Sequence, residues 1–296
     1  MNKRILWGHL MTLVTVIIWG TTFVSTKALL SELKPVEIMF FRFVLAYAAL
    51  WIVYPQAEKP RGWRDELLFF ASGLCGVTLY FLTENIALSY TLASNVGLII
   101  AAAPIFTAIL AHFLTRDERM GKHLILGFIL AFGGVFLIML NGAHTLQISP
   151  LGDGLALAAT LCWAGYCILL RKLGDRYHQI YLTRKIFFYG LLTMAPVFLL
   201  SYQAGSAAKL FQPWILGNIV FLGLAGSTLG YVLWNIAIQF LGAIKTSHYL
   251  YLIPFVTVLT ARVALGERIT TIAMVGACFI LAGVYIAERG LIFAKE

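Results

Sequence analysis

Long apolar runs alternate with short polar segments along the whole chain. A helix that crosses a hydrocarbon core of about 30 Å needs roughly 20 predominantly apolar residues. Runs of this kind occur ten times, at about 6–30, 36–54, 67–90, 92–114, 122–140, 151–172, 179–202, 214–239, 245–265 and 269–287. The pattern therefore predicts an all-α polytopic membrane protein with ten transmembrane helices, whose connections are too short to hold a soluble domain.

The composition also indicates a lipid bilayer as the environment of this chain. The 296 residues are 60% hydrophobic and 12% charged, whereas soluble chains carry about 25% charged residues. The net charge of +9 does not indicate nucleic acid as a partner, because the basic residues stand between apolar runs and form no basic face. All four cysteines lie inside apolar runs, which argues against a disulfide framework.

The basic residues predict an orientation, because cytoplasmic loops retain Lys and Arg. With ten spans and an internal N-terminus, fourteen of the 22 basic residues fall in cytoplasmic segments, three in external segments and five within spans. We therefore expect a multi-pass protein of a bacterial-type inner (plasma) membrane, with both termini cytoplasmic.

The second half of the chain repeats motifs of the first. The recurring pairs at an offset of 150 residues are GLCGVTL at 73–79 and GLAGSTL at 223–229, Asn85 and Asn235, and Pro104 and Pro254, while Trp19 and Trp163 align at 144. Because five spans per half is an odd number, the second half enters the membrane from the opposite side. We expect two inverted five-helix repeats, over residues 5–141 and 150–288, which is typical of secondary transporters with a substrate site near the midplane.

Two segments in corresponding positions of the repeats resemble a known domain family. They are residues 241–267 (LGAIKTSHYLYLIPFVTVLTARVALGE) and their counterpart at 93–118, supported by Pro35 followed by Arg42–Ala46 (RFVLA). These segments are similar to the paired EamA domains of the drug/metabolite transporter superfamily, and the resemblance covers nearly the whole chain. It implies a ten-helix transporter, usually an exporter of amino acids or other small metabolites.

Ionisable side chains inside spans are candidate functional residues, because a charge in hydrocarbon costs on the order of several kcal/mol. Glu84 is the only carboxylate well inside a predicted span, and it can exchange a proton or pair with a substrate ammonium. The alternative is an ion pair with Arg42 or Lys27 that only joins helices. We interpret Arg42 mainly as structural and Lys27 as a side chain that extends to the interface. Arg184 and His248 fall on the inner side, where the repeat predicts counterparts of Arg42.

Two prolines fall near the centres of spans 4 and 9, and a histidine lies on the inner side of span 9. Pro104 and Pro254 each remove a backbone donor, so we expect both helices to kink and expose polar backbone at mid-depth. The kinks are either hinges or binding elements, or static features of packing. His248 stands with Tyr251 just before Pro254, and it suits either proton coupling or a hydrogen-bonded packing role.

Buried indoles and amides complete the candidate site. Trp19, Trp163 and Trp234 fall well inside their spans, where they either fill the core or line a cavity. Asn85 and Asn235 either bridge helices or bind substrate. The candidate substrate-binding residues are therefore Trp19, Glu84, Asn85, Trp163, Trp234, Asn235, His248 and Tyr251, and the candidate structural or gating residues are Lys27, Arg42, Pro104, Arg184 and Pro254.

These features together favour a secondary transporter that works by alternating access. We expect a small amphipathic metabolite, best an amino acid, as substrate and protons as a candidate coupling ion. No nucleophile elbow, Walker loop or metal-site histidine spacing is present in the sequence, so neither an enzyme nor a cofactor or metal is expected. The alternatives are a proton-coupled exporter of cationic drugs and, from another class, a channel or non-transporting membrane subunit.

Overall fold

The computed structural model describes residues 3–90, 96, 99–114, 122–142, 149–265 and 271–292. All regular elements in these ranges are helices, as predicted. The α-helices are α1 Lys3–Leu29, α2 Pro35–Val53, α3 Trp63–Gly73, α4 Tyr80–Tyr90, α5 Ala103–Leu114, α6 Lys122–Gly142, α7 Pro150–Leu173, α8 Gln179–Ser201, α9 Ser206–Lys209, α10 Pro213–Val220, α11 Gly230–Leu241, α12 Ala243–His248, α13 Leu252–Leu265 and α14 Thr271–Ile292. Two π-helical segments, Leu74–Leu79 and Phe221–Leu229, and a 3₁₀ turn, Tyr249–Tyr251, join some of them.

Six helical segments of the described chain are long and apolar enough to cross a membrane. They are α1, α2, Trp63–Tyr90, α7, α8 and Pro213–Leu241, and they coincide with six of the ten predicted spans. Shorter apolar helices lie at Ala103–Leu114, Ile125–Gly134 and Met274–Gly283. The predicted spans at 92–114 and 269–287 begin partly on residues outside the described ranges.

Two of the long helices begin with the same local chemistry. Pro150 and Pro35 occupy the first helical turn, where a missing N–H is not needed. The Glu37 carboxylate accepts a hydrogen bond from the Lys34 backbone N–H at 2.9 Å, and Asp153 accepts one from the Ser149 N–H at 3.1 Å. Negative charge in a first helical turn is stabilised by the helix dipole.

Both helices that contain the repeated prolines are interrupted just before them. Residues 101–102 form a turn ahead of α5, and the 3₁₀ turn Tyr249–Tyr251 precedes α13. Pro104 and Pro254 therefore lie in the first turn of a new helix, where proline is tolerated. The irregularity predicted at mid-depth is present, and it is a change of hydrogen-bond pattern one turn before each proline.

The two π-helical segments fall on the repeated motif and were not predicted. They overlap at the offset of 150 residues and lead directly into α4 and α11. Each π turn contains an additional residue, so it rotates the faces of the helix that follows. Such segments occur frequently at functional sites.

The central core takes side chains from both halves. Helix α1 packs against α11 and α13, and α4 packs against α7. The largest hydrophobic cluster includes Trp19 and Phe43 from the first half and Trp163, Tyr231 and Trp234 from the second. The interface between the halves is therefore aromatic.

The last helices of the two halves, α6 and α14, pack against each other through glycine. A Cβ at Gly134 would lie 2.7 Å from the Ile280 backbone nitrogen, and one at Gly283 would lie 2.5 Å from the Ala131 nitrogen. Small residues of this kind let membrane helices approach until their backbones touch.

This contact predicts different effects for two neighbouring glycines. Gly134→Ala should lower the stability of the protein by about 1 to 3 kcal/mol, because the new methyl group has to push two backbones apart. Gly133→Ala is the control, since a Cβ at Gly133 meets nothing within 4 Å, and it should leave stability unchanged or raise it by up to about 1 kcal/mol. Thermal unfolding of both purified variants measures the difference, and equal melting temperatures would contradict the proposed packing.

Candidate functional site

A cavity lies between the two halves at the centre of the aromatic core. Its walls are formed by Trp19, Thr22, Phe23, Thr26, Arg42, Tyr80, Phe81, Glu84, Ile100, Trp163, Tyr231, Leu250 and Ile253. Ile100 and Leu250 belong to the interrupted helices. About 40 Å³ of the cavity can be occupied by the centres of water molecules, which is room for about three waters at roughly 10 to 15 Å³ each.

Glu84 is part of the wall of this cavity and has one unpartnered oxygen. Its side chain is buried and hydrogen-bonds to the hydroxyl of Tyr80, one helical turn earlier. Oε2 is buried and has no hydrogen-bond partner among the described residues. Neither Arg42 nor Lys27 forms a salt bridge with it in the part of the chain that the structure describes, although Arg42 is close enough to interact with it electrostatically. A role of this pair of charges in joining helices stays a prediction.

The guanidinium group of Arg42 shares the cavity with Glu84. Its Nε donates to Ser227 Oγ at 2.9 Å, and its Cζ lies 4.6 Å from the centroid of the Phe81 ring. A Cβ at Gly226 would lie 3.1 Å from Nη2, so the glycine of the second π segment makes room for this cation. Arg42 is thus both a helix–helix contact and part of the cavity wall.

Two glycines, Gly230 in α11 and Gly226 in the π segment before it, contact the Trp19 side chain. The indole N–H of Trp19 donates to the Gly226 carbonyl at 2.8 Å, and a Cβ at Gly230 would lie 2.5 Å from Trp19 Nε1. The ring centroid of Trp19 lies 5.1 Å from that of Trp163 and 5.0 Å from that of Trp234. Because Gly226 and Gly230 carry no side chain, they leave the space that the Trp19 indole ring occupies.

The other two tryptophans differ in position. Trp163 lines the cavity, and its buried Nε1 has no partner among the described residues. Trp234 is fully buried and does not line the cavity, so it fills the core. One cavity thus combines a carboxylate oxygen without a donor, an indole N–H without an acceptor and a guanidinium group, which is suitable chemistry for a ligand that carries both charges.

The two predicted asparagines lie at helix contacts outside the cavity wall. Asn85 donates to the Pro35 carbonyl at 3.2 Å. Asn235 accepts from the Tyr166 hydroxyl at 2.6 Å and donates to Thr183 at 2.8 Å. Both amides therefore bridge helices, and their role in substrate binding stays a prediction.

The cationic candidates Lys27 and Arg184 bind backbone carbonyls. Lys27 Nζ donates to Leu88 at 3.2 Å. Arg184 donates to the carbonyls of Tyr54 and Gln56 just after α2 and lies 3.8 Å from the centroid of the Trp51 ring. These contacts satisfy carbonyls that a helix C-terminus leaves open.

His248, Tyr251 and the prolines do not line the cavity either, although they lie beside residues that do. His248 and Tyr251 are buried and flank Leu250, a wall residue. Pro104 and Pro254 are also buried, and Pro254 follows the wall residue Ile253 directly. The structure thus brings Trp19, Arg42, Glu84 and Trp163 together and leaves the other nine candidates outside the wall.

Sequence reasoning did not select four aromatic wall residues, which are Phe23, Tyr80, Phe81 and Tyr231. Tyr80 stands four residues before Glu84, a spacing that places two side chains on one helix face. Phe81 and Tyr231 are equivalent at the offset of 150 residues. Both signals were present in the sequence: the first would have added Tyr80 to the candidate site, and the second Phe81 and Tyr231.

A polar network joins the two halves of the chain at the N-terminal end of α3. Asp65 accepts hydrogen bonds from Arg176 at 2.6 Å and from the Tyr177 hydroxyl at 2.5 Å, and the Tyr177 oxygen accepts from the Arg61 N–H at 2.8 Å. Burial and the hydrogen bond to Asp65 raise the pKa of Tyr177, so this hydroxyl stays protonated and remains a donor. The network ties α3 to the turn between α7 and α8.

The comparisons of this chain with known proteins agree on one family. A family model described as the EamA-like transporter family matches residues 6–140 and again residues 150–288. An uncharacterised transporter of Archaeoglobus fulgidus is 31% identical over 283 residues, which cover 94% of this chain and 96% of that protein. A protein of Escherichia coli named "probable amino-acid metabolite efflux pump" is 26% identical over 297 residues, or 96% of each chain. A solved crystal structure has a TM-score of 0.75 at 16% identity over 98% of this chain and 99% of its own, which shows likeness of fold.

The bridge between Tyr166 and Asn235 predicts a measurable coupling energy. Tyr166→Phe and Asn235→Ala each leave a buried polar partner unpaired, at a cost of about 1 to 3 kcal/mol. In the double variant no partner is left unpaired across this bond, so the coupling should be about 1 to 2 kcal/mol. Chemical unfolding of the three variants in lipid–detergent micelles gives this value, and simple additivity would show that the bond contributes nothing.

Proposed function

The chain belongs to the EamA-like transporter family, and we propose that it is a secondary active transporter that exports a small amphipathic metabolite, such as an amino acid, by alternating access. The observation that carries the substrate class is the buried Glu84 oxygen without a partner, in a cavity that also holds the Arg42 guanidinium. The name of the Escherichia coli relative, an efflux pump for amino-acid metabolites, supports the same class.

The proposed architecture is ten membrane crossings in two inverted five-helix repeats, over residues 5–141 and 150–288. The six long apolar segments and the shorter apolar helices support this number, and the two family matches support the duplication. The excess of Lys and Arg in alternate connections supports a multi-pass protein of a bacterial-type inner membrane with cytoplasmic termini.

The charged groups of the cavity match the two charges of an amino acid. Its ammonium group would donate to Glu84, which Tyr80 already holds by a hydrogen bond. Its carboxylate would accept from Arg42 and from the free indole N–H of Trp163. Its side chain would lie against the aromatic walls, since Phe81 and Tyr231 supply apolar surface. Charge pairing at both ends orients such a ligand.

The carboxylate and the aromatic walls also favour a second candidate, a proton-coupled exporter of lipophilic cations. Arg42 discriminates between the two proposals. A guanidinium group in the same cavity repels a cation and attracts the carboxylate of a zwitterion, so the amino-acid proposal uses both charged groups and the cation proposal uses one.

Glu84→Gln tests the ammonium site. Gln keeps the size of the side chain and removes the charge, so transport of the amino acid that stabilises the wild-type protein should fall at least about 30-fold, because removing one partner of a buried charge pair costs about 2 kcal/mol or more. Proteoliposomes preloaded with a radiolabelled amino acid measure the rate, after a thermal-shift screen has identified the ligand.

Glu66→Gln is the matched control, since Glu66 lies on the same helical segment but is partly exposed and pairs with Lys185 at 2.8 Å. It should transport at nearly the wild-type rate. Full activity of Glu84→Gln with an unchanged pH profile would remove Glu84 from the mechanism. Competition by lipophilic cations, with no effect of any amino acid, would favour the second candidate.

The proposed orientation predicts which loops a membrane-impermeant maleimide can reach. In a background without the four native cysteines, Ala208→Cys should react from outside intact cells and Lys59→Cys only after the membrane is opened, since both residues are exposed and the proposed topology puts them on opposite sides. The reverse pattern would invert the topology and with it the proposed direction of transport.

A further inference from the structure

A second group of buried polar side chains lies beside the cavity, on α5, α12 and the 3₁₀ turn. Helix α12 packs against α5. The group shares two properties: each side chain is almost fully buried, and each has a polar atom with no hydrogen-bond partner in the described ranges. Its members are Thr107, Ser247, His248 and Tyr251. We call them the α12 cluster.

His248 is the member of the α12 cluster whose chemistry can be assigned. Its Nδ1 lies 2.7 Å from the Ile244 carbonyl oxygen. A carbonyl oxygen only accepts hydrogen bonds, so Nδ1 carries a hydrogen and donates it. In a neutral ring Nε2 is then a lone pair. This lone pair is buried and without a described partner, which makes it an acceptor that lacks a donor.

The size of the missing donor follows from the surroundings. None of the four side chains belongs to the wall of the central cavity, and all four are packed within the described helices. A proton is the smallest donor that the buried Nε2 lone pair can take up. The hydroxyl groups of Ser247, Thr107 and Tyr251 are uncharged, and none of them forms a hydrogen bond with Nε2 in this conformation.

Among the described residues, no carboxylate faces His248. Tyr251 lies nearest, with ring centroids 6.0 Å apart. The other titratable or charged side chains on the elements that pack against α12 form no hydrogen bond or ring contact with His248 in the described chain. They are Lys245 on α12 itself, Tyr249 on the 3₁₀ turn, His112 on α5, Tyr231 on α11, Asp153, Cys162, Tyr166, Cys167, Arg171 and Lys172 on α7, and Cys278 and Tyr285 on α14. A protonated His248 would therefore be a buried charge with only neutral partners.

We propose that His248 is a proton-binding site whose protonation opens the α12 segment toward the inner side of the membrane. An uncompensated buried charge is stabilised by water, so protonation favours conformations that expose residues 243–251. The interrupted helix before Pro254 supplies the place at which α12 can move relative to α13. The direction of this opening, toward the inner side, rests on the proposed function and its topology. The site would provide proton coupling for the proposed transport cycle.

The proton site can be tested without any substrate. The protein with ¹⁵N-labelled histidine is reconstituted in lipid nanodiscs, and the imidazole resonances are followed from about pH 8 to about pH 5, the range in which histidine titrates. His248 should show the Nδ1–H tautomer at the high end and become protonated on both nitrogens as the pH falls. Substituting the other five histidines one at a time assigns its resonance in a folded protein.

Hydrogen–deuterium exchange of residues 243–251 measures the opening. At each pH, wild type is compared with His248→Gln, so that the intrinsic pH dependence of exchange cancels. Exchange in wild type should exceed that in the variant by a factor that grows up to about tenfold for each pH unit, because only the open state takes up the proton. His112→Gln, an exposed histidine on α5, is the control and should behave as wild type.

Two results would overturn the proton site: an imidazole of His248 that stays neutral down to about pH 5, or equal exchange in wild type and His248→Gln at every pH. Neither depends on the transported molecule. A protein that opens as described but exports no amino acid refutes only the proposed substrate, and the opposite result refutes only the proton site.

Discussion

Backbone N–H and C=O groups cannot remain unpaired in hydrocarbon, and most features of this chain follow from that constraint. It explains why every regular element of the described chain is helical. It also explains where the departures from α-helix lie. Leu250 of the 3₁₀ turn Tyr249–Tyr251 is a wall residue of the central cavity, and the turn at 101–102 follows the wall residue Ile100. Both π segments end shortly before a wall residue, Tyr80 or Tyr231. Surrounding protein can satisfy irregular backbone at these places. The cavity is thus the region in which the chain is free to be irregular.

The two halves repeat a fold but not a chemistry. The position equivalent to Glu84 in the second half is Trp234, a core residue. Arg42 lines the cavity, whereas Arg184 of the second half binds carbonyls at the end of α2. Both charged groups of the cavity therefore come from the first half, while the second half supplies aromatic and aliphatic walls.

The long apolar helices could be predicted from the sequence, but the direction in which a side chain points could not. The lengths of the apolar runs located the six long apolar segments, and the recurring motifs at an offset of 150 residues fall within the two family matches. Among the buried candidates, Trp19, Arg42, Glu84 and Trp163 lie in the cavity wall and Asn235 does not.

The π segments change which face a side chain occupies in α4 and α11. An additional residue in one turn rotates everything after it by about 100°, the angle per residue of an α-helix. Glu84 and Asn85 both follow such a segment. Helical periodicity counted from the start of α3 therefore misplaces the faces of both. The hydrogen bonds that occupy Asn85 and Asn235 are tertiary and leave no trace in the local sequence.

The small size of the cavity affects both the apparent affinity for a ligand and the steps of each turnover. Space for about three waters is less than most amino acids need, so the conformation described here has to widen before such a ligand can bind. Only the fraction of molecules that has already widened can bind, and the apparent dissociation constant is the intrinsic one divided by that fraction. Widening of the cavity is therefore a step of every turnover. Residues remote from the ligand that shift the equilibrium between the narrow and the widened conformation will change the half-saturating concentration without touching the substrate.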